Sequence, residues 1–182
     1  MHTEYEVRIL EIDVDDIIDK LEKLRAKKVG NWNYRRYVYD VKPKEEGKWI
    51  RLRTNGESTT LTYKNIVDKT VSGTKEVEIK VDDFDNTHKF LECIGFDARS
   101  YQENKRIRYM LDDVEFDIDT WPMIPSYLEL EGDSEEDIMK IVDKLELDSS
   151  KVTSLSPQDI YIEVYGIDIR DMDIIKFKKE SI

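Results

Sequence analysis

Alternating charged residues near the N-terminus are the first feature of this sequence that could do chemistry. Glu4, Glu6 and Arg8 occupy every second position, and a β-strand would point all three side chains to one face. On a face in contact with water, such charges need no partner. On an enclosed face each needs an opposite charge, a metal ion or a ligand, because burying an unpaired charge is costly.

Later segments repeat this alternation, some with bases and others with acids. The bases are Arg51, Arg53, Lys64, Arg106 and Arg108, and the acids are Glu76, Glu78, Asp117, Asp119, Glu129 and Glu131. Arginine and lysine bind phosphate oxygens, and carboxylates hold hard divalent ions that phosphates also coordinate. An enclosed face that carries both kinds of charge therefore favours a polyanion bound together with a metal ion.

Eight segments are predicted to be strands, because one parity of each is apolar and the other is polar. They span residues 4–10, 34–41, 48–54, 59–65, 75–81, 105–111, 114–120 and 126–132. Eight strands suffice to close a barrel, in which inward and outward positions alternate. If helices cover the apolar parity, the charged parity faces an interior. The alternative is an open sheet whose charged face lies in water.

Helical spacing predicts the covering elements. Four segments, 13–30, 82–96, 133–147 and 156–166, place apolar residues at helical intervals. Gly30 is the predicted end of the first helix. Residues 171–182 form either a final strand or a tail. The length fits one domain over residues 1–182.

The charge and the cysteine and histidine content exclude several kinds of partner. The 182-residue chain has a net charge of −12, so its surface should repel nucleic acid outside a local basic site. His2 and His88 are far apart and Cys93 is the single cysteine, which leaves carboxylates as the expected metal ligands. Cys93 lies in an apolar-rich segment and is predicted to be a small buried residue.

The location and the assembly are predicted only coarsely. No apolar run approaches the roughly 18 residues of a membrane span, and the N-terminus lacks the order of a signal peptide. We therefore expect a cytoplasmic protein with no membrane partner. A homodimer is compatible with the sequence, which does not decide the oligomeric state.

Taken in order, these motifs resemble the CYTH superfamily, the triphosphate tunnel metalloenzymes. The hallmark of that family is Glu-x-Glu-x-Lys on the first strand, which Glu4, Glu6 and Arg8 match with arginine in place of lysine. The other matching segments are YVYD at 37–40, WIRLR at 49–53, LTYK at 61–64, KEVEIK at 75–80, KRIR at 105–108, FDID at 116–119 and YLELEG at 127–132. The resemblance covers residues 3–170 and implies an α+β fold, an eight-stranded antiparallel β-barrel flanked by helices.

The resemblance also implies a division of roles among the charged residues. The phosphate-binding residues would be Arg8, Arg51, Arg53, Lys64, Arg106 and Arg108. The ligands of Mg²⁺ or Mn²⁺ would be Glu4, Glu6, Glu129 and Glu131. The catalytic residues would be Glu4, Glu6, Arg8 and Lys64. The secondary acidic candidates, as metal ligands, as a general base or as ion-pair partners that orient the arginines, are Glu76, Glu78, Asp117 and Asp119.

Three functions are open at this point, all with a small-molecule ligand. The first is a metal-dependent phosphohydrolase acting on inorganic triphosphate, thiamine triphosphate or a nucleoside triphosphate. The second is a class IV-like adenylyl cyclase that converts ATP to cyclic AMP and pyrophosphate, although residues 120–126 replace the Gly-rich turn of cyclase-like members. The third is a non-enzymatic protein that binds polyphosphate or a nucleotide. We expect hydrolysis, because it demands the least of the protein.

Overall fold

The structure, a computed structural model, describes residues 2–178, and for residues 2–4 it describes the backbone only. The long strands are β1 (His2–Ile9), β2 (Lys27–Asp40), β3 (Lys48–Thr54), β4 (Thr59–Ile66), β5 (Thr74–Val81), β6 (Ala98–Leu111), β7 (Val114–Thr120) and β8 (Tyr127–Gly132). Two short strands follow, β9 (Val152–Thr153) and β10 (Ile174–Ile175). The helices are α1 (Val14–Lys23), α2 (Phe84–Cys93), α3 (Glu135–Lys144) and α4 (Pro157–Asp159), with a 3₁₀ turn at Ser149–Lys151 and a π-helical turn at Ile160–Val164.

The eight long strands close into a ring. Their order is β6, β2, β3, β4, β5, β1, β8 and β7, and β7 pairs again with β6. Every pairing in the ring is antiparallel, while β9 pairs with β1 and β10 runs parallel to β6. The predicted eight-stranded antiparallel barrel with flanking helices is therefore confirmed.

The apolar parity of the strands faces outward and packs against the helices. The side chains of α1 and α3 cover β1, β6, β7 and β8, where Phe116, Leu128 and Leu130 are fully buried. The helix α2 covers β2 and β3 through Phe84 and Leu91. Because successive side chains of a strand point to opposite faces, this packing places the charged side chains toward the interior of the ring.

Several details differ from the sequence-based predictions. The first helix ends at Lys23, and Gly30 lies inside β2 at a bulge, where a Cβ would collide with the Trp32 ring. The prediction that Gly30 ends that helix was therefore wrong. Cys93 is exposed at the end of α2, so its predicted burial was also wrong.

The outer face of β5 and the C-terminal segment complete the comparison. Val77 and Ile79 are 48% and 53% exposed, whereas Val81 at the end of the same strand packs against the cluster that contains Phe84 and Leu91 of α2. Ile174 and Ile175 form a short strand, while residues 179–182 lie outside the described residues.

Among residues 2–178, no helix has the length and apolar character needed to cross a membrane. The single domain, the cytoplasmic location and the homodimer stay predictions.

Candidate functional site

The barrel interior brings together the charged residues that the sequence predicts to converge. The cross-strand register places these side chains in neighbouring rows on the inner face of the sheet. The apolar side chains of the outer face pack against helices and so keep the strands in this arrangement. The predicted residues on this inward parity are Glu6, Arg8, Arg51, Arg53, Lys64, Glu76, Glu78, Arg106, Arg108, Asp117, Asp119, Glu129 and Glu131. Glu4 lies in β1 opposite Thr74, and its side chain is outside the described part of the chain.

Arg8 is held by three acceptors. Its guanidinium lies 3.0 Å from Glu6 Oε2 and 2.6 Å from Glu129 Oε2, and its Nη1 donates to the Leu155 carbonyl at 2.9 Å. Burial disfavours the charge of Arg8, but Glu129 and Glu6 outweigh burial and raise its pKa. The same attraction, from Arg8 and Arg106, overcomes burial and lowers the pKa of Glu129. The positive charges of Arg8 and Arg106 and the negative charges of Glu6 and Glu129 therefore offset one another.

Arg106 is the centre of the neutralised half of the interior. It donates to Asp119 Oδ1 at 2.7 Å and Oδ2 at 2.6 Å, to Glu129 Oε1 at 3.0 Å, and also to Asp117. Arg108 binds the same Asp117 carboxylate through two hydrogen bonds and pairs with Glu115 at 2.5 Å. The predicted phosphate-binding residues on β6 are thus already paired with carboxylates.

Three arginines on β2 and β3 are not neutralised in this way. Arg36 on β2 lies opposite Arg53 on β3, and Arg51 lies two residues before Arg53 on the same strand. We call Arg36, Arg51 and Arg53 the basic bank. Among the described side chains, Glu78 supplies the carboxylate oxygen nearest to Arg51 and Arg53, at 3.5 and 3.9 Å. Arg36 is 6% exposed and donates to the neutral side chain of Asn104.

The pKa shifts show that positive charge is in excess in the basic bank. Burial, followed by repulsion from Arg51 and Arg53, lowers the pKa of Arg36. Burial, then repulsion from Arg51 and Arg106, lowers the pKa of Arg53 to about 10. Within residues 2–178, Arg36 Nε, Arg51 Nε and Thr60 Oγ1 are buried without a hydrogen-bond partner. Unsatisfied donors in a buried, positively charged region favour an anion.

Facing carboxylates form a second group, the acidic row, made of Glu6, Glu131 and Glu115. Glu131 on β8 lies directly opposite Glu6 on β1 and Glu115 on β7. Burial, then repulsion from Glu129, Glu115 and Glu6, raises the pKa of Glu131 to about 7. Burial followed by repulsion from Asp117 raises the pKa of Glu115 to about 7. The interior therefore has an excess of positive charge at the basic bank and an excess of negative charge at the acidic row.

The remaining predicted residues link the two walls. Lys64 Nζ lies 3.1 Å from Glu76 Oε2. Thr62 Oγ1 donates to Glu78 Oε2 at 2.7 Å, and Arg51 Nη2 donates to the same hydroxyl at 3.4 Å. Glu76 and Glu78 therefore lie beside basic side chains, as one of their predicted alternatives required.

Sequence inspection missed Arg36, Asn104 and Tyr127, whereas Glu115 lies on the predicted charged parity of residues 114–120 but is not among the predicted site residues. Arg36 shares its parity with Tyr34 and Val38, so its strand has no charged face that period two could reveal. Tyr127 is 1% exposed, and burial, followed by Asp119 and Glu129, raises its pKa. Only the register shows that these residues join the charged interior.

The pH dependence of stability tests the acidic row. The folded pKa of Glu131, about 7, exceeds its ordinary value of 4.5. The fold therefore binds more protons than the unfolded chain between these values, and the metal-free protein loses stability as pH rises from about 4.5 to 7. We expect the melting temperature of Glu131→Gln minus that of wild type to increase between pH 5 and pH 8 in EDTA. A constant difference would contradict the repulsion in the acidic row.

Comparison with known proteins identifies the family. The family model described as CYTH domain matches residues 2–162. The chain belongs to the CYTH family. The predicted resemblance is thereby confirmed.

Individual relatives are distant but span nearly the whole chain. A protein of Methanocaldococcus jannaschii, named as a candidate adenylate cyclase, is 23% identical over 90% of this chain and 99% of its own length. The structure of a Pyrococcus horikoshii OT3 protein has a TM-score of 0.74 and 24% identity, over 84% of this chain and 96% of the other. A candidate adenylyl cyclase from Hippeastrum with a dominant triphosphatase activity has a TM-score of 0.63 and 12% identity, over 92% and 97%. These structural similarities concern the fold.

Proposed function

We propose that this protein binds a triphosphate inside its barrel and hydrolyses it with the help of Mg²⁺ or Mn²⁺. The observation that carries the proposal is the basic bank, whose guanidinium groups are largely shielded from water, repel one another and have few carboxylate partners among the described side chains. A chain of phosphates supplies the missing negative charge and accepts the unsatisfied donors. Planar guanidinium groups suit this task because each can bind phosphate bidentately.

The basic residues would stabilise the transition state as well as the bound substrate. Phosphoryl transfer spreads charge over the phosphate oxygens, and fixed positive groups stabilise that charge without reorganisation. Arg51 and Arg53 are 13% and 15% exposed at their side chains, so bulk water screens them little. Arg8, Arg106 and Arg108 would contribute mainly by holding carboxylates in position, since acids already pair with all three guanidinium groups.

The acidic row fits a hard divalent cation. Tunnel enzymes of the CYTH family generally depend on a divalent metal. Among the described residues no three acidic, histidine or cysteine side chains already converge on one point, but the crowded carboxylates of Glu6, Glu131 and Glu115 are oxygen donors that repel one another. We propose that they hold the ion together with Glu4. When bound, such an ion offsets phosphate charge and activates water.

Adenylyl cyclase activity is the second candidate. The relative from Methanocaldococcus jannaschii carries that name, whereas the Hippeastrum protein is mainly a triphosphatase. Both reactions need the same contacts to the phosphates, but cyclisation also requires the ribose 3′-hydroxyl to be aligned with the α-phosphorus. We favour hydrolysis because it needs only water as the nucleophile.

A turnover assay separates the alternatives. The purified chain is incubated with tripolyphosphate, thiamine triphosphate or ATP, each with Mg²⁺ or Mn²⁺, and phosphate and cyclic AMP are measured. Phosphate release supports the hydrolase, and cyclic AMP with pyrophosphate identifies a cyclase. Saturable binding without product would leave the non-enzymatic interpretation.

The metal assignment predicts a specific loss in Glu131→Gln. This change removes a carboxylate oxygen donor from the acidic row without breaking an ion pair with Arg8 or Arg106. We expect the metal-dependent rate to fall at least about tenfold, because even the outer partners of metal ligands contribute about 10- to 100-fold, and the Mg²⁺ concentration for half-maximal rate to rise. The control is Glu92→Gln on α2, outside the barrel. An unchanged metal response in Glu131→Gln would refute the assignment.

A further inference from the structure

The second half of β5 has a free edge. β5 pairs with β4 along its whole length, whereas β1 pairs with it only through residues 2–4, opposite residues 74–76. Within the part of the chain that the structure describes, residues 77–81 therefore have no strand on the side away from β4. We call this segment the open edge. Its backbone N–H and C=O groups that point away from β4 can accept another strand.

Both faces of the open edge are in contact with water. Four consecutive residues of β5 are exposed, namely Val77, Glu78, Ile79 and Lys80. Val77 and Ile79 are among the exposed large apolar side chains of the described residues, and both lie on the outer face of the sheet. Glu78 and Lys80 lie on the inward parity. An exposed strand edge with apolar side chains is a template for pairing with a further strand.

The sequence of the open edge, VEIKV, is complementary to itself. When two copies of a strand pair about a two-fold axis, each contact occurs twice. With the axis at Ile79, the middle of the segment, Val77 faces Val81 of the partner subunit, and Glu78 faces Lys80 of the partner subunit. Moving the axis by one residue would place Glu78 or Lys80 opposite its own copy, and like charges directly opposite each other are destabilising. The charges therefore favour the central register.

We infer that two copies of this chain associate through their open edges, with the two β5 strands antiparallel and in register about Ile79. The inference does not depend on the proposed activity. Main-chain hydrogen bonds would supply most of the affinity, and the pairs of Glu78 with Lys80 of the partner subunit would fix the register. Five paired residues make a contact smaller than the standard interface of about 800 Å² per partner. The dimer should therefore dissociate on dilution.

Sedimentation velocity at physiological ionic strength tests the association, because salt screens the repulsion between two chains of net charge −12. As its concentration rises, the wild-type protein should shift from the 21.6 kDa monomer to twice that mass. Lys80→Glu places a second carboxylate opposite Glu78 on both sides of the axis, so the dissociation constant should rise about tenfold or more. The control Lys89→Glu makes the same charge change at an exposed position of α2 and should alter that constant less than about twofold.

Hydrogen exchange locates the contact on the chain. As the wild-type concentration rises, backbone amides within residues 77–81 should exchange more slowly, whereas those of β7, which is paired on both sides, should not change. Ile79→Lys places like charges at the axis and should abolish this protection. Thermal unfolding checks that this exposed substitution leaves the monomer folded.

Three results would overturn the inference. The first is a wild-type protein that stays monomeric up to about 1 mM, the weak end of specific affinities, which would leave the open edge to a strand of another protein. The second is a dimer whose dissociation constant is the same in Lys80→Glu, Ile79→Lys and the wild type. The third is a dimer that forms without slower exchange in residues 77–81.

Discussion

Replacing Arg53 by methionine should lower kcat/KM for the triphosphate by about 100-fold or more while leaving the fold at least as stable. Removing one preorganised donor to a developing anion typically costs about 10²- to 10³-fold in rate. The lowered pKa of Arg53 indicates that burial and the neighbouring arginines make its charge unfavourable in the folded protein. The contact with Tyr34 returns only about 1 kcal/mol. Loss of the guanidinium should therefore not destabilise the protein.

The measurement combines steady-state kinetics with thermal unfolding of the ligand-free protein. Arg99→Met is the matched control, because Arg99 pairs with Asp40 at 3.0 Å and is not part of the basic bank. We expect wild-type activity from that control. A clear drop in the melting temperature of Arg53→Met would show that the basic bank is neutralised in the free protein, contrary to our account.

Arg106→Met should have the opposite effect on stability. Arg106 is 7% exposed and binds three carboxylates, so its removal leaves Asp117, Asp119 and Glu129 without their shared counter-ion. Breaking a buried ion pair by removing one partner costs about 3–5 kcal/mol. For a chain of this size we expect the melting temperature to fall by about 6–20 °C. Misplaced carboxylates should also raise KM and lower kcat.

A double-mutant cycle isolates this interaction. Asp119→Asn removes one negative charge that Arg106 balances, so the double variant should recover part of the stability lost in Arg106→Met. Chemical denaturation of the four proteins gives the coupling free energy. Strictly additive losses, or an Arg106→Met protein as stable as wild type, would contradict a neutralising role for Arg106. The two arginine variants together therefore distinguish the neutralised wall from the basic bank.

The alternation of apolar and polar residues along each strand made the ring of strands predictable from the sequence. Strands β3 and β7 begin and end where the alternation of charged and apolar residues predicted, at Lys48–Thr54 and Val114–Thr120. The same alternation assigned the charged parity to the interior, because helical segments were available to cover the other parity. Both inferences need only local spacing, which the sequence shows directly.

Features that depend on register or on tertiary coverage were not predictable in this way. Arg36 joins the interior only because it pairs with Arg53, and β2 continues back to Lys27 only because β6 pairs with it over that length. Cys93 lies in an apolar segment but on the uncovered side of α2. Phe177 reaches Glu103 on β6 only because the short parallel pairing of β10 brings the C-terminal segment beside that strand.

A crystal structure with a non-hydrolysable triphosphate analogue and Mg²⁺ tests the central claim most directly. We predict phosphate oxygens about 3 Å from the guanidinium nitrogens of Arg36, Arg51 and Arg53, with the metal ion on the side of Glu131. An analogue bound on the outer surface, or a barrel interior that excludes it at saturating concentration, would contradict the account.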